Sequence, residues 1–126
     1  MRYRTRKMVA ARDLNSNGTL FGGRVLAWID EEAFIFVACQ LDSPSIVTRS
    51  MSEVEFVSTA RQGDLIEIGT EVVTIGRTSI TVRCAVRNRR TQQIITRVER
   101  IVFVRVDSAG RPIPHERQPE LEAAGT

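Results

Sequence analysis

The sequence predicts an α+β domain in which one long helix lies across an antiparallel sheet of about five strands. Three observations lead there. A single stretch, residues 23–39, carries an apolar stripe at helical spacing. From residue 46 onward the apolar period becomes two, through four long runs separated by turn formers. The 126 residues suffice for about one domain with a core that needs neither disulfide nor metal.

The elements follow in order. Residues 2–11, RYRTRKMVAA, alternate charge and bulk before turning apolar, a first strand whose four basic residues suit a sheet edge. Residues 12–22 are a loop in which Asp13, Asn15, Asn17 and Gly18 favour turns through their own side chains. Over 23–39, at about 100° per residue, Leu26, Ile29, Ala33 and Val37 share one arc while Arg24, Trp28, Glu31 and Ile35 take the other side. LDSPS (41–45) ends the connection. Strands are then expected at 46–58, 64–75, 78–88 and 94–107, joined by TARQGD, GRT and RRTQQ. Ile80, Val82, Cys84 and Val86 alternate inward against Thr81, Arg83 and Arg87, and Val98, Val102, Val104 and Val106 line one face of the last strand. Residues after Asp107 hold three of the four prolines and read as a tail, the domain being drawn to 115 and the frayed end at 116–126. Four strands in meander leave long open edges, so a dimer that continues the sheet is expected.

Composition narrows the function classes. A formal charge of +3 and a pI near 9.5 form only a mild basic excess, which suits nucleic acid, anionic lipid or a small polyanion such as a nucleotide-bearing cofactor. Aromatics are 6% and none interleaves with a basic run, which argues against stacking on nucleic acid. Cys39 and Cys84 have no paired spacing, and no secretory leader precedes them, so the expected setting is reducing and cytoplasmic. AFIFVAC (33–39) is far too short to cross a bilayer. One histidine, His115, and two distant cysteines give no metal-ligand spacing, and no serine has a base positioned by sequence.

Asp30 is the residue that asks for a reason. It lies about 40° from Leu26, at the edge of the apolar arc, where a carboxylate is costly unless satisfied. A structural carboxylate, capping a turn or paired with an arginine, and a functional one both fit that position. Gly22 and Gly23 precede it at the helix start, where amides lack intrahelical partners and the dipole favours negative charge.

Asn15-Ser-Asn17-Gly18, Phe21-Gly22-Gly23, Trp28-Ile29-Asp30-Glu31, Gly63-Asp64, Gly76-Arg77-Thr78-Ser79 and Val106-Asp107-x-x-Gly110-Arg111-Pro112 occur in one order and spacing. In that order they resemble the hotdog-fold acyl-CoA thioesterases, on the branch of YciA-like and brain-type acyl-CoA hydrolases, from about residue 5 to about residue 115. Two features depart from the usual pattern: no proline precedes Gly63-Asp64, and the second helical turn is acidic at Asp30-Glu31-Glu32.

The resemblance implies a hydrolase releasing a free acid and coenzyme A. Asp30 would act as general base or as nucleophile, and the Gly23 amide would face the thioester oxygen. Asn15, from the partner subunit, would orient water or thioester. Arg77, Thr78 and Ser79, helped by Arg89 and Arg90, would hold the carrier's phosphates, and Trp28, Ile35 and Phe36 would shape the acyl channel. Coenzyme A enters as part of the substrate, with no further cofactor, and the assembly would be a homodimer or a trimer of dimers. The alternatives are a non-catalytic acyl-CoA-binding regulator and an interaction module. A histidine-based dehydratase is disfavoured, because His115 stands in the proline-rich end.

Overall fold

The computed structural model describes residues 1–115, so the expected frayed end at 116–126 lies outside the described residues. In chain order the elements are strand β1 (Arg2–Met8), a short 3-10 turn (Ala11–Asp13), helix α1 (Gly22–Leu41), and strands β2 (Ile46–Met51), β3 (Val54–Phe56), β4 (Leu65–Ile75), β5 (Ser79–Asn88) and β6 (Ile94–Arg105). They form one sheet of six strands in the order β1-β4-β5-β6-β2, with β3 also on β6 and every pairing antiparallel. One helix on one antiparallel sheet is the arrangement the sequence predicts, and β1 stands at an edge as expected.

Three details differ. The run at 46–58 is two strands, because the chain breaks at Ser52, whose N–H bonds the Arg100 carbonyl and whose hydroxyl oxygen accepts from the Arg100 N–H. The four runs are also not a simple meander: β2 and β3 pair with β6, the last strand, and residues 57–64 carry the chain across to β4 beside β1. Gly63 and Val9 lock that crossing through Gly63 N to Val9 O (2.8 Å) and Val9 N to Asp64 O (2.9 Å). Alternation records which face a side chain takes and not which strand lies alongside, so this order was hidden. Third, β6 carries an irregularity where Val82 faces Ile101 but Cys84 faces Val98. The inward set therefore changes parity: Val98, Ile101 and Phe103 lie in the core, Val104 is buried on the other face, and Val102 and Val106 are only half-buried.

The core lies between α1 and one face of the sheet. Val25, Ile29, Ala33 and Val37 pack against Ile66, Ile68, Ile80, Val82, Val86 and Phe103. Phe34 meets Phe103 edge to face at 6.2 Å between centroids. The helix stripe is centred on Val25 and Ile29, with Leu26 only half-buried at its margin. The helix closes at Asp42, left-handed at φ 54°, with Ser43 N bonded to the Ala38 carbonyl at 3.0 Å. Residues 108–115 are not a frayed tail. Asp107 Oδ1 accepts from Ala109 and Arg111 N–H, Val106 bridges Pro112, and His115 is buried against the β4–β5 turn, its N–H on the Arg77 carbonyl.

Candidate active site

The start of α1 is built by the loop before it. Phe21 is the N-cap in extended conformation, without a side-chain cap, and its carbonyl accepts from Arg24 and Val25 N–H at 3.0 and 3.2 Å. The Gly22 and Gly23 amides precede those two, at the positive end of the helix dipole, with no intrahelical carbonyl within reach. A Cβ on Gly23 would stand 2.8 Å from the Phe21 ring, and one on Gly22 would stand 3.2 Å from the Phe56 ring. At Gly23 a side chain would have to displace the exposed Phe21 ring. Asp13, which reads as a turn former in the sequence, is buried and anchors the junction. Its Oδ2 accepts from Ala10 N–H at 2.9 Å, its Oδ1 lies 3.3 Å from Arg24 Nε, and its carbonyl accepts from Phe21 N–H.

Asn15 closes its own loop. Its Oδ1 accepts from Asn17 N–H and Thr19 N–H at 2.9 and 3.1 Å, and its Nδ2 donates to Thr19 Oγ1 at 3.0 Å. Gly18, at φ 78°, supplies the left-handed residue of the turn. Asn15 also borders an open hollow of about 450 Å³ with Leu20, Gly22, Phe56, Ser58 and Thr59. Asn17 gives only its backbone N–H to this arrangement.

Asp30 is half-buried on the flank of α1 that faces β2, and Thr48 Oγ1 donates to its Oδ1 at 2.8 Å. Among the described residues no cationic side chain pairs with it. Thr48 was missed by sequence reading. The β2–β6 register slips between Thr48 and Ser50, leaving Arg49 as an extra residue, and a bulge of this kind re-aims the neighbouring side chain. Within one protomer Asp30 is not among the walls of the hollow beside Asn15. Along the helix it stands about 12 Å from Gly22 by the rise per residue. The candidates therefore fall into two groups in the protomer: Asn15 beside Gly22, and Asp30 with Thr48.

The arginine candidates separate as well. Arg77 is exposed in the β4–β5 turn, where Gly76 N bonds the Ser79 carbonyl at 2.9 Å and the Thr78 carbonyl accepts from Arg105 N–H. Arg89 and Arg90 occupy the β5–β6 turn, at the other end of β5, about 30 Å away by strand rise. Successive turns of a meander lie at opposite ends of the shared strand. One phosphate group therefore cannot be held by both sets in one protomer. Of the apolar channel candidates, Ile35 and Phe36 line a hollow of about 310 Å³ between β1 and α1, with Glu32 and Cys39, while Trp28 stacks with Lys7 at 5.7 Å.

No group of His, Cys, Asp or Glu among the described residues could hold a metal ion, and no helix among them is long and apolar enough to cross a membrane. The model of the thioesterase superfamily matches residues 17–95. The uncharacterized acyl-CoA thioester hydrolase YkhA of Bacillus subtilis is 32% identical over 116 residues, covering 87% of this chain and 66% of that protein. The chain thus spans just under two thirds of that relative's length. The structure of an apo hexameric acyl-CoA thioesterase superposes with a TM-score of 0.78 at 37% identity, covering 87% of this chain and 72% of that one. An acyl-CoA hydrolase from Staphylococcus aureus, in complex with butyryl coenzyme A, coenzyme A and coenzyme A disulfide, gives 0.79 at 26% identity, covering 87% and 68%. Variants of that hydrolase with one aspartate or one asparagine replaced by alanine have also been solved, the latter with coenzyme A. One helix on an antiparallel sheet, a glycine-opened helix start and a matching family model together place this chain in the thioesterase superfamily.

Proposed function

We propose that the protein is an acyl-CoA thioester hydrolase whose active site is completed across a homodimer. The observation that carries this is the state of Asp30: a half-buried helix carboxylate held by one hydroxyl and by no cation among the described residues. A structural ion pair would have neutralised it, whereas a general base or nucleophile must keep a free oxygen. Asn15 and Asp30 are separated along the chain by the same number of residues as the asparagine and aspartate replaced in the S. aureus hydrolase variants.

In the proposed reaction Asp30 takes a proton from water as the water oxygen attacks the thioester carbonyl. The Gly23 amide, at the helix N-terminus, stabilises the resulting oxyanion, and the partner's Asn15 orients water or thioester. Collapse breaks the C–S bond and expels the coenzyme A thiolate, which takes up a proton, leaving the free acid. Attack by Asp30 itself gives an acyl-aspartate anhydride that water then hydrolyses, with the same products. Either route uses Thr48 to fix the carboxylate. Arg77, exposed in its turn, is assigned to the carrier with Thr78 and Ser79. Three such dimers would make a hexamer, the assembly size of the apo hexameric relative.

The test is free-thiol release from acyl-CoAs of increasing chain length by the wild type and Asp30→Asn. The expected result is turnover of some members and a loss of at least about a hundredfold in the folded variant. A wild type that binds coenzyme A yet hydrolyses no thioester would instead make the chain an acyl-CoA-binding module.

A further inference from the structure

The face of the sheet turned away from α1 carries a cluster that this reaction does not use. In β4, Ile66 and Ile68 point into the core, so Glu67 between them points outward, and it is nevertheless buried, with 3% exposure. Arg6 of β1 and Arg87 of β5 are its direct cross-strand neighbours, forming one row across three strands. Arg87 Nε donates to Glu67 Oε1 at 2.8 Å and its guanidinium lies 3.6 Å over the Tyr3 ring. Arg6 Nε stands 3.4 Å and Arg89 Nε 3.8 Å from Glu67 Oε2, and Gln92 Nε2 is 3.5 Å from Oε1. Glu67 is thus fully occupied. Its carboxyl is pushed up by burial, but the hydrogen bond and charge of Arg87, with Gln92 and Arg6, outweigh this and hold it below its ordinary value.

Three guanidinium groups, those of Arg6, Arg87 and Arg89, surround this single carboxylate, and with Arg90 they border a polar hollow of about 460 Å³. A surplus of three positive charges faces the same space. The turn that carries Arg89 and Arg90 is held in one shape. Asn88 Oδ1 accepts from Arg90 and Thr91 N–H at 2.9 and 3.1 Å. Gln92 sits in the left-handed region at φ 64°, its N–H on the Asn88 carbonyl and its Nε2 on the Arg89 carbonyl at 2.7 Å. A glycine would adopt that conformation freely, and a glutamine there costs energy that these bonds offset. Its side chain ties the turn to Glu67. Among the described residues the Arg90 guanidinium has no partner, at the exposed rim of the hollow.

We infer that this outer-face hollow is a binding site for a diphosphate group, formed by Arg6, Arg89 and Arg90 over the Glu67–Arg87 base. Several planar N–H forks around one small space match the oxygens of a multiply charged phosphate anion. A neutral or singly charged ligand would leave most of the surplus uncompensated, and a turn already fixed lowers the ordering cost of binding. Such a group comes either from a free nucleotide or from coenzyme A itself. The inference does not depend on thioester hydrolysis.

Isothermal titration calorimetry of the full chain with inorganic pyrophosphate, ADP and coenzyme A tests it without any turnover. Pyrophosphate is expected to bind saturably at low salt, about tenfold or more weaker to Arg90→Ala and immeasurably to Arg90→Glu, with unchanged melting temperatures for the unliganded variants. ADP binding in the same way identifies a free nucleotide as the source, and coenzyme A displacing pyrophosphate identifies the carrier. No pyrophosphate binding up to about 10 mM, or binding that both Arg90 variants retain, overturns the site.

Discussion

Asp30 differs from its neighbours Glu31 and Glu32 by what it touches. Glu31 is exposed, Glu32 accepts a hydrogen bond from Thr5 Oγ1 at 2.8 Å on the β1 side, and Asp30 alone meets Thr48 on the β2 side. Removing that hydroxyl in Thr48→Val leaves a carboxylate free to rotate. Loss of one hydrogen bond to a charged group predicts about tenfold lower kcat with little change in KM, measured by steady-state thiol release. In Gly23→Ala the added Cβ meets the Phe21 ring at 2.8 Å, so either the ring or the helix start must move. The same assay should show kcat lower by at least about tenfold, with the melting temperature nearly unchanged because Gly23 is exposed. Asp30 was legible because helical spacing alone puts it at the edge of the apolar arc. Thr48 was not, since its approach depends on a bulge and on β2 lying against α1. Asp13 was legible as a turn former, and its carboxylate does close the turn on Ala10 N–H, but only the folded loop reveals that it is buried beside Arg24.

Among the elements, the row Arg6–Glu67–Arg87 shows how three edge-to-centre strands are pinned from the solvent side. Glu67 binds its proton less tightly in the folded chain than in the unfolded one. The stability it contributes is therefore complete above the ordinary glutamate range and is lost as pH falls through its lowered folded value. Glu67→Gln should be less stable than wild type by roughly 2 kcal/mol at pH 7, since it removes the buried charge that the partly exposed Arg6, Arg87 and Arg89 surround. The gap should close on acidification below the ordinary glutamate range, followed by thermal melts across pH. A constant gap would mean that shape and not charge matters at this position. The helix and the alternation of β5 were legible because each has one buried face and a constant period. The parity change in β6 and the break at Ser52 were not, because both occur where the two strands meet at Arg100, a contact distant in sequence.

The whole chain has its two thiols in opposite environments. Cys84 is buried, and burial pushes its thiol up to about 12, whereas Cys39 is exposed on α1. An alkylating reagent at pH 8 should label one thiol per native chain and both after denaturation, counted by intact mass. Assembly was only partly legible: open strand edges predicted a partner, but the crossing at 57–64 determines that β1 and β2 are the edges. On the proposed function the site is shared, since Asp30 does not line the hollow that Asn15 and Gly22 border within one protomer. The most direct test of a shared site is subunit complementation. Asn15→Ala and Asp30→Asn, each inactive alone, are mixed, dissociated and reassociated, and thiol release is measured. With one intact site in each mixed dimer, random pairing should restore about a quarter of wild-type activity. Mixtures as inactive as the separate variants would contradict a site shared between subunits.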